Sequence, residues 1–326
     1  MPSVSRPRFL SRGLVRAAAA ALSVIAAAVV MAAGPGTAAR ASTLPVSYDF
    51  IAGATATALF PQTPPPGANN WNCKPSAAHP DPVVLVHGTF ANMDDNWQTA
   101  SPILVNHGYC VFAFNYGGAY ASDPVQGTGE IAASAQTLAS FVSKVLAATG
   151  ASKVDLVGHS QGGMMPRYYI NFLGGDATVN TLVALAPSNY GTTLDGFTTL
   201  AGIFGVSTNG LTTTCQACAE QMQGSAFLAH LNANPTRASV NYVNIESKDD
   251  EVVTPYTNAF LPPGPNVTNT TLQNQCPVDQ TDHVEIASDP VAMGDMLNAL
   301  DPASPVRVPC VPVLPLTGPV GPVPSF

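Results

Sequence analysis

Charge is what this 326-residue chain has least of: Asp, Glu, Lys and Arg make up 10% of it, against about a quarter of an average soluble domain. Basic residues are the scarcer sign, 12 against 20 acidic ones. Five of the 12, namely Arg6, Arg8, Arg12, Arg16 and Arg40, fall within the first 40 residues, where no acidic residue occurs. From Ser42 onward there remain seven basic and 20 acidic residues, a net charge of −13. Such a chain has no basic footprint for nucleic acid. After Ala33 there is no further apolar run as long as the one near the N-terminus. Internal repeats and a second catalytic domain are also absent. Cys215-Gln216-Ala217-Cys218 has no second Cys or His pair at ligand spacing, which argues against a metal site.

The N-terminus reads as an export signal. The arginines at positions 6 to 16 form a basic leader, and Ala17 to Ala33 is apolar except for Ser23. Gly34, Pro35 and Gly36 follow, and then Ala39-Arg40-Ala41, an A-x-A cleavage pattern. The sequence therefore predicts a signal peptide over residues 1–41 and a secreted mature chain. All six cysteines (73, 110, 215, 218, 276 and 310) lie beyond that cut. An even number on an exported chain predicts three disulfides, and spacing alone does not choose among the 15 pairings.

Residues 42–78, rich in Pro, Gly, Thr and Asn, read as an extended arm. Short apolar strands then alternate with helices. Strands are expected at 82–87, 110–115, 154–158, 181–186 and 240–246. Helices are expected from Asp94 or Asp95 to about His107, from Glu130 to Thr149, from Gln161 to Leu173 with a kink at Pro166, and from Asp289 to Leu300. This rhythm predicts an α/β fold with a mainly parallel sheet and helices on both faces. One domain spans 42–302. It carries a lid-like insertion at about 188–239, too long for an ordinary connection, and a Pro-rich tail occupies 303–326.

Gly158-His159-Ser160-Gln161-Gly162 sits where the third strand runs into a helix. A G-x-S-x-G pattern in that position fits the nucleophile elbow of an α/β-hydrolase, with Ser160 as nucleophile. A serine hydroxyl needs a base, and in this fold the order is Ser, then Asp or Glu, then His. His79, His87 and His107 precede the serine, and His159 adjoins it. Of His230 and His283, the latter lies past the last expected strand and is the candidate base. The acid is expected in the loop after the fifth strand, where Asp249, Asp250 and Glu251 are adjacent and spacing does not select one. Oxyanion donors are expected from the backbone of Gln161 and of Thr89, whose hydroxyl adds a third.

Three segments carry a resemblance. Val83-Val84-Leu85-Val86-His87-Gly88-Thr89, Gly158 through Tyr169, and Asp250-Glu251-Val252-Val253-Thr254-Pro255 resemble the class 2 secreted bacterial lipases of the α/β-hydrolase superfamily. They are more distantly similar to the fungal lipase B type. The resemblance implies Asp250 as the acid, His283 as the base, and a lid region beginning near 186–192. It also implies disulfides Cys73–Cys110 and Cys276–Cys310, leaving Cys215–Cys218, and no metal or cofactor. The expected function is a secreted carboxylic ester hydrolase, a triacylglycerol lipase, acting on a lipid or other ester substrate with transient contact at a lipid–water interface. No obligate protein partner is implied. A short-chain esterase, a polyester hydrolase and an acyltransferase use the same site chemistry. A non-catalytic surface protein on the same scaffold is the rival from another class.

Overall fold

Six strands of three to seven residues build one parallel sheet. Its strands are Val83–Val86 (β1), Val111–Ala113 (β2), Val154–His159 (β3), Val179–Leu185 (β4), Asn241–Glu246 (β5) and Val267–Thr271 (β6). They lie in the order β2-β1-β3-β4-β5-β6, and each neighbouring pair is parallel. This computed structural model describes residues 43–57, 60–323 and 325–326. The expected signal at 1–41 lies outside the described residues.

Helices cover both faces. In chain order they are Phe50–Thr57 (α1), Ala100–Asn106 (α2), Ile131–Thr149 (α3), Gln161–Met164 (α4), Pro166–Phe172 (α5), Leu194–Ile203 (α6), Leu211–Thr214 (α7), Gln216–Glu220 (α8), Ala226–Asn232 (α9), Leu272–Gln275 (α10) and Pro290–Leu300 (α11). Successive strand side chains point to opposite faces. Val84, Val86 and Leu156 join Leu138, Val142 and Val145 of α3 in one core. Val83, Leu85 and Val157 join Ile103 and Leu104 of α2 and Val291 and Met296 of α11 in the other. Each such side chain contributes roughly 1.5–3 kcal/mol when fully buried.

Local chemistry accounts for the departures from expectation. The N-terminal arm is not wholly extended, because Asp49 Oδ1 accepts the Ala52 N–H at 2.8 Å and Phe50 is buried, and together these start α1. Asp94 and Asp95 do not cap α2. Asp95 instead takes the backbone and side-chain N–H groups of Asn92 at 2.8 and 2.7 Å, leaving a short 3₁₀ turn at Asp95–Trp97 before the helix. Pro166 divides the expected long helix into α4 and α5. β6 was not expected, because Val-Thr-Asn-Thr-Thr is an edge strand with little apolar surface to bury. The insertion folds into α6 to α9. In the tail, Val313–Leu314 (β7) pairs antiparallel with Gly318–Pro319 (β8), and Val313 is buried. The disulfides are Cys73–Cys110, Cys215–Cys218 and Cys276–Cys310, the last holding the tail to the end of α10.

The arm is held in part by a buried acid. Glu285 Oε2 accepts the Phe50 N–H at 3.2 Å. Burial raises the Glu285 carboxyl to about 9, and Asp282, Asp289 and Asp49 add to the rise despite that hydrogen bond. The folded protein therefore keeps a proton that the unfolded chain releases near the ordinary value of 4.5. The resulting stability is fully present below that ordinary value and is lost as pH rises through the folded one. Glu285→Gln, which does not titrate, should melt close to the wild type near pH 4.5 and several degrees above it at pH 9. Melting curves whose separation did not change with pH would exclude this.

Candidate active site

Parallel crossovers leave the carboxyl ends of all the strands on one edge, the usual place for a site in an open α/β sheet. Thr89 follows β1, Ser160 follows β3, Asp250 follows β5, and His283 lies in the loop beyond β6 and α10. Residues far apart in sequence are thereby placed side by side.

At Ser160 the chain turns from strand to helix with φ 56° and ψ −121°, outside the ordinary range of a residue with a side chain. Only glycine fits on either side of this turn. A Cβ at Gly158 would lie 1.8 Å from the Gly162 carbonyl oxygen, and one at Gly162 would lie 2.0 Å from that of Val86. The Ser160 N–H donates to the Leu185 carbonyl at 2.8 Å, which ties the turn to β4.

The Ser160 hydroxyl donates to His283 Nε2 at 2.9 Å. His283 Nδ1–H donates to Asp250 Oδ2 at 2.7 Å. Asp250 Oδ1 accepts the Val252 and Val253 N–H groups, both at 2.7 Å. These two amides orient the carboxylate, and the carboxylate fixes the imidazole tautomer. The side chains of His283 and Asp250 are fully buried. Burial opposes charge on His283, yet the facing Asp250, with Glu251 and Asp282 behind it, outweighs burial and raises the imidazole pKa.

Of the three adjacent acids, only Asp250 bonds to the ring. Asp249 is exposed, and Glu251 reaches the His283 backbone N–H at 3.3 Å. His230, in the insertion, stacks on Phe172 of α5 and takes no part. His87 stacks on Tyr116 and donates from Nδ1 to the Gly88 carbonyl at 2.8 Å. Burial lowers its pKa to about 4, so it is a neutral packing residue.

The backbone N–H groups of Thr89 and Gln161 have no acceptor among the described residues. Their side chains touch instead, with Gln161 Nε2 donating to Thr89 Oγ1 at 2.8 Å.

Four supporting residues were not foreseen from the sequence. Asn96 Oδ1 accepts the Gly88 N–H at 2.9 Å and lies 3.1 Å from His159 Nδ1. His159 Nε2 lies 2.8 Å from the His283 carbonyl, so the ring next to the serine braces the backbone of His283. Glu246 ends β5 fully buried, and its Oε1 accepts the Ser247 N–H at 2.8 Å. Burial, aided by the nearby Asp250, raises the Glu246 carboxyl well above the usual range, so that it holds a proton. Gln221, in the insertion, donates to Thr89 Oγ1. An acid ending an otherwise buried strand was the only sequence signal among these. Among the described residues no group of three or more His, Cys, Asp or Glu side chains is placed to hold a metal.

The sequence signature of the family described as Lipase (class 2) matches residues 80–294, which takes in all four site loops. The chain belongs to the class 2 lipase family. It is 45% identical over 92 residues to a triacylglycerol lipase of Pseudarthrobacter phenanthrenivorans, 27% of each chain. A triacylglycerol lipase of Burkholderia plantarii matches equally well over 27% of this chain and 24% of its own. The match thus spans about a quarter of the length of these curated relatives. Among solved structures, Aspergillus fumigatus lipase B is similar with a TM-score of 0.57 and 18% identity, over 73% of this chain and 55% of that one. The mature form of Bacillus licheniformis lipase BlEst2 is similar with a TM-score of 0.50 and 17% identity, over 70% and 94% respectively. At such identities the likeness is one of fold, and the fold of this class 2 lipase family member is the α/β-hydrolase fold.

The elbow's steric limit gives a direct test. Gly158→Ala forces a methyl into a backbone carbonyl, and the expected cost is above about 3 kcal/mol, or no folded protein at all. A denaturant melt decides this. A variant that melted with the wild type would mean that the turn has room the geometry denies it.

Proposed function

We propose that this protein is a secreted carboxylic ester hydrolase of triacylglycerol lipase type, acting through Ser160, His283 and Asp250. The observation that carries this reading is the unbroken hydrogen-bonded chain from serine to imidazole to carboxylate, at 2.9 and 2.7 Å. The family relationship supports an ester or lipid substrate. Three disulfides support an extracellular setting.

The chemistry follows from the geometry. As Ser160 Oγ attacks the ester carbonyl carbon, its proton passes to His283 Nε2, and Asp250 stabilises the resulting imidazolium. The carbonyl oxygen takes the negative charge and is met by the free N–H groups of Thr89 and Gln161. Collapse of the tetrahedral species breaks the bond to the alcohol oxygen, which receives the proton from Nε2. Water then repeats the sequence on the acyl-enzyme, releasing the acid and restoring the serine. On this reading the apolar insertion covers the acyl chain and meets the lipid surface.

A fluorophosphonate should label the folded wild type at Ser160, and Ser160→Ala should abolish the label. A folded but unlabelled wild type would overturn the reading. Asp250→Asn should lower turnover severely, roughly 10⁴-fold if it behaves as the same change does in a serine protease triad. Full activity in that variant would move the acid elsewhere. Rates over an acyl-length series, below and above substrate solubility, separate a lipase from a short-chain esterase.

The pH profile provides a further check. The base works only when neutral, and its surroundings raise its pKa above the ordinary 6.5. The acid limb of kcat/KM should therefore have its midpoint above that value. A midpoint below it would contradict the assigned charge balance around His283.

A further inference from the structure

The hydroxyl of Thr89 is buried, and two side-chain amides converge on its oxygen: Gln161 Nε2 at 2.8 Å and Gln221 Nε2 at 3.1 Å. The orientation of both amides is fixed by their other contacts. Gln161 Nε2 also donates to the Gly127 carbonyl at 2.7 Å, and Gln221 Nε2 to the Ala217 carbonyl at 3.1 Å. A backbone carbonyl only accepts, so nitrogen and not oxygen must face Thr89 in each case. Gln221 Oε1 in turn accepts the Ser188 hydroxyl at 2.6 Å. Gln221 thus has both protons and its oxygen engaged, with 1% of its surface exposed.

A threonine hydroxyl has two lone pairs and one proton. Here two donors occupy the two lone pairs. The hydroxyl can then act only as a donor, and among the described residues nothing accepts its proton. The backbone N–H groups of Thr89 and Gln161 are likewise free.

We propose that Gln221 is a positioning residue that holds the Thr89 hydroxyl with its proton free for the substrate's developing oxyanion. This rests on the ester-hydrolase reading above. Gln221 belongs to the insertion rather than to the sheet. It directly follows α8, whose start is clipped by Cys215–Cys218 and whose Ala217 N–H donates to the Thr128 carbonyl at 3.1 Å. Thr128 adjoins Gly127, which receives Gln161. The insertion and the elbow are thereby joined through the same loop, and the third oxyanion donor is oriented only while α8 is seated.

A double-mutant cycle tests the proposal, with kcat and KM measured separately on a soluble ester. Thr89→Val should lower kcat by about 10²-fold, the usual effect of losing one oxyanion donor. Gln221→Leu should lower kcat by roughly tenfold or more with KM barely changed, because the donor remains but its rotor is released. In the double variant Gln221→Leu should add no further loss. A Gln221→Leu loss of equal size in the Thr89→Val background would overturn the proposal alone, since it would mark a general packing role. Wild-type kcat in Gln221→Leu would also overturn it. Full kcat in Thr89→Val would overturn the oxyanion role of the hydroxyl, and the proposal with it, while leaving the serine assignment to the fluorophosphonate label. If Gln221→Leu fails a thermal-melt check for folding, Gln221→Met, of matching length, takes its place in the cycle.

Discussion

Everything at this site depends on one steric constraint, the crossing of backbone on backbone at the Ser160 turn. Gly158 and Gly162 approach their neighbours so closely that any side chain would overlap a carbonyl. That closeness lets β3 end and α4 begin within one residue, with Ser160 in a backbone conformation that side chains avoid. The strain is offset by the bond from Ser160 to Leu185 and by the packing of Val86, Leu156 and Met164 beneath. Because the turn is fixed, the hydroxyl has one address. His283 can then be held to it from a loop 123 residues further on.

The second constraint is electrostatic. Asp250, Glu246, Glu251 and Asp282 crowd around one imidazole in a chain short of cations. Like charges that close cannot all ionise in a buried site. The arrangement resolves this by giving Asp250 the donors: two backbone N–H groups and the imidazole. Glu246 accepts only the neighbouring Ser247 N–H and keeps its own proton. Asp250 and Glu246 are thus told apart by the donors each meets.

The same reasoning marks where the sequence was readable. Ser160 and its glycines are contiguous, and their spacing is itself the geometry of the turn, so the elbow was legible. The mainly parallel sheet was legible too, because buried strands such as Val83–Val86 are unbroken apolar runs. Asp250 was selected only through family resemblance, since its two neighbours carry the same chemistry and differ in where a loop points them. β6 was missed because an edge strand of Thr and Asn has no apolar pattern to betray it. Glu246, Asn96 and Gln221 were missed because each acts through space on a partner in another loop, and no local pattern records such a pairing.

On the proposed reading, Gln221 also bears on why part of the oxyanion machinery lies in an insertion. A buried hydroxyl with a free proton is costly unless a charge arrives to use it. Here the proton is fixed by Gln221, whose buried amide is held in turn by Ala217 and Ser188, and electrostatic contacts strengthen in a drier site. The Arg167 contacts to Asn189, Asn232 and Pro235, at 3.1, 2.7 and 3.2 Å, brace the ends of the same insertion against α5, the helix that continues from the elbow. The insertion is therefore tied to the helix that continues from the Ser160 turn on one side and to Thr89 on the other.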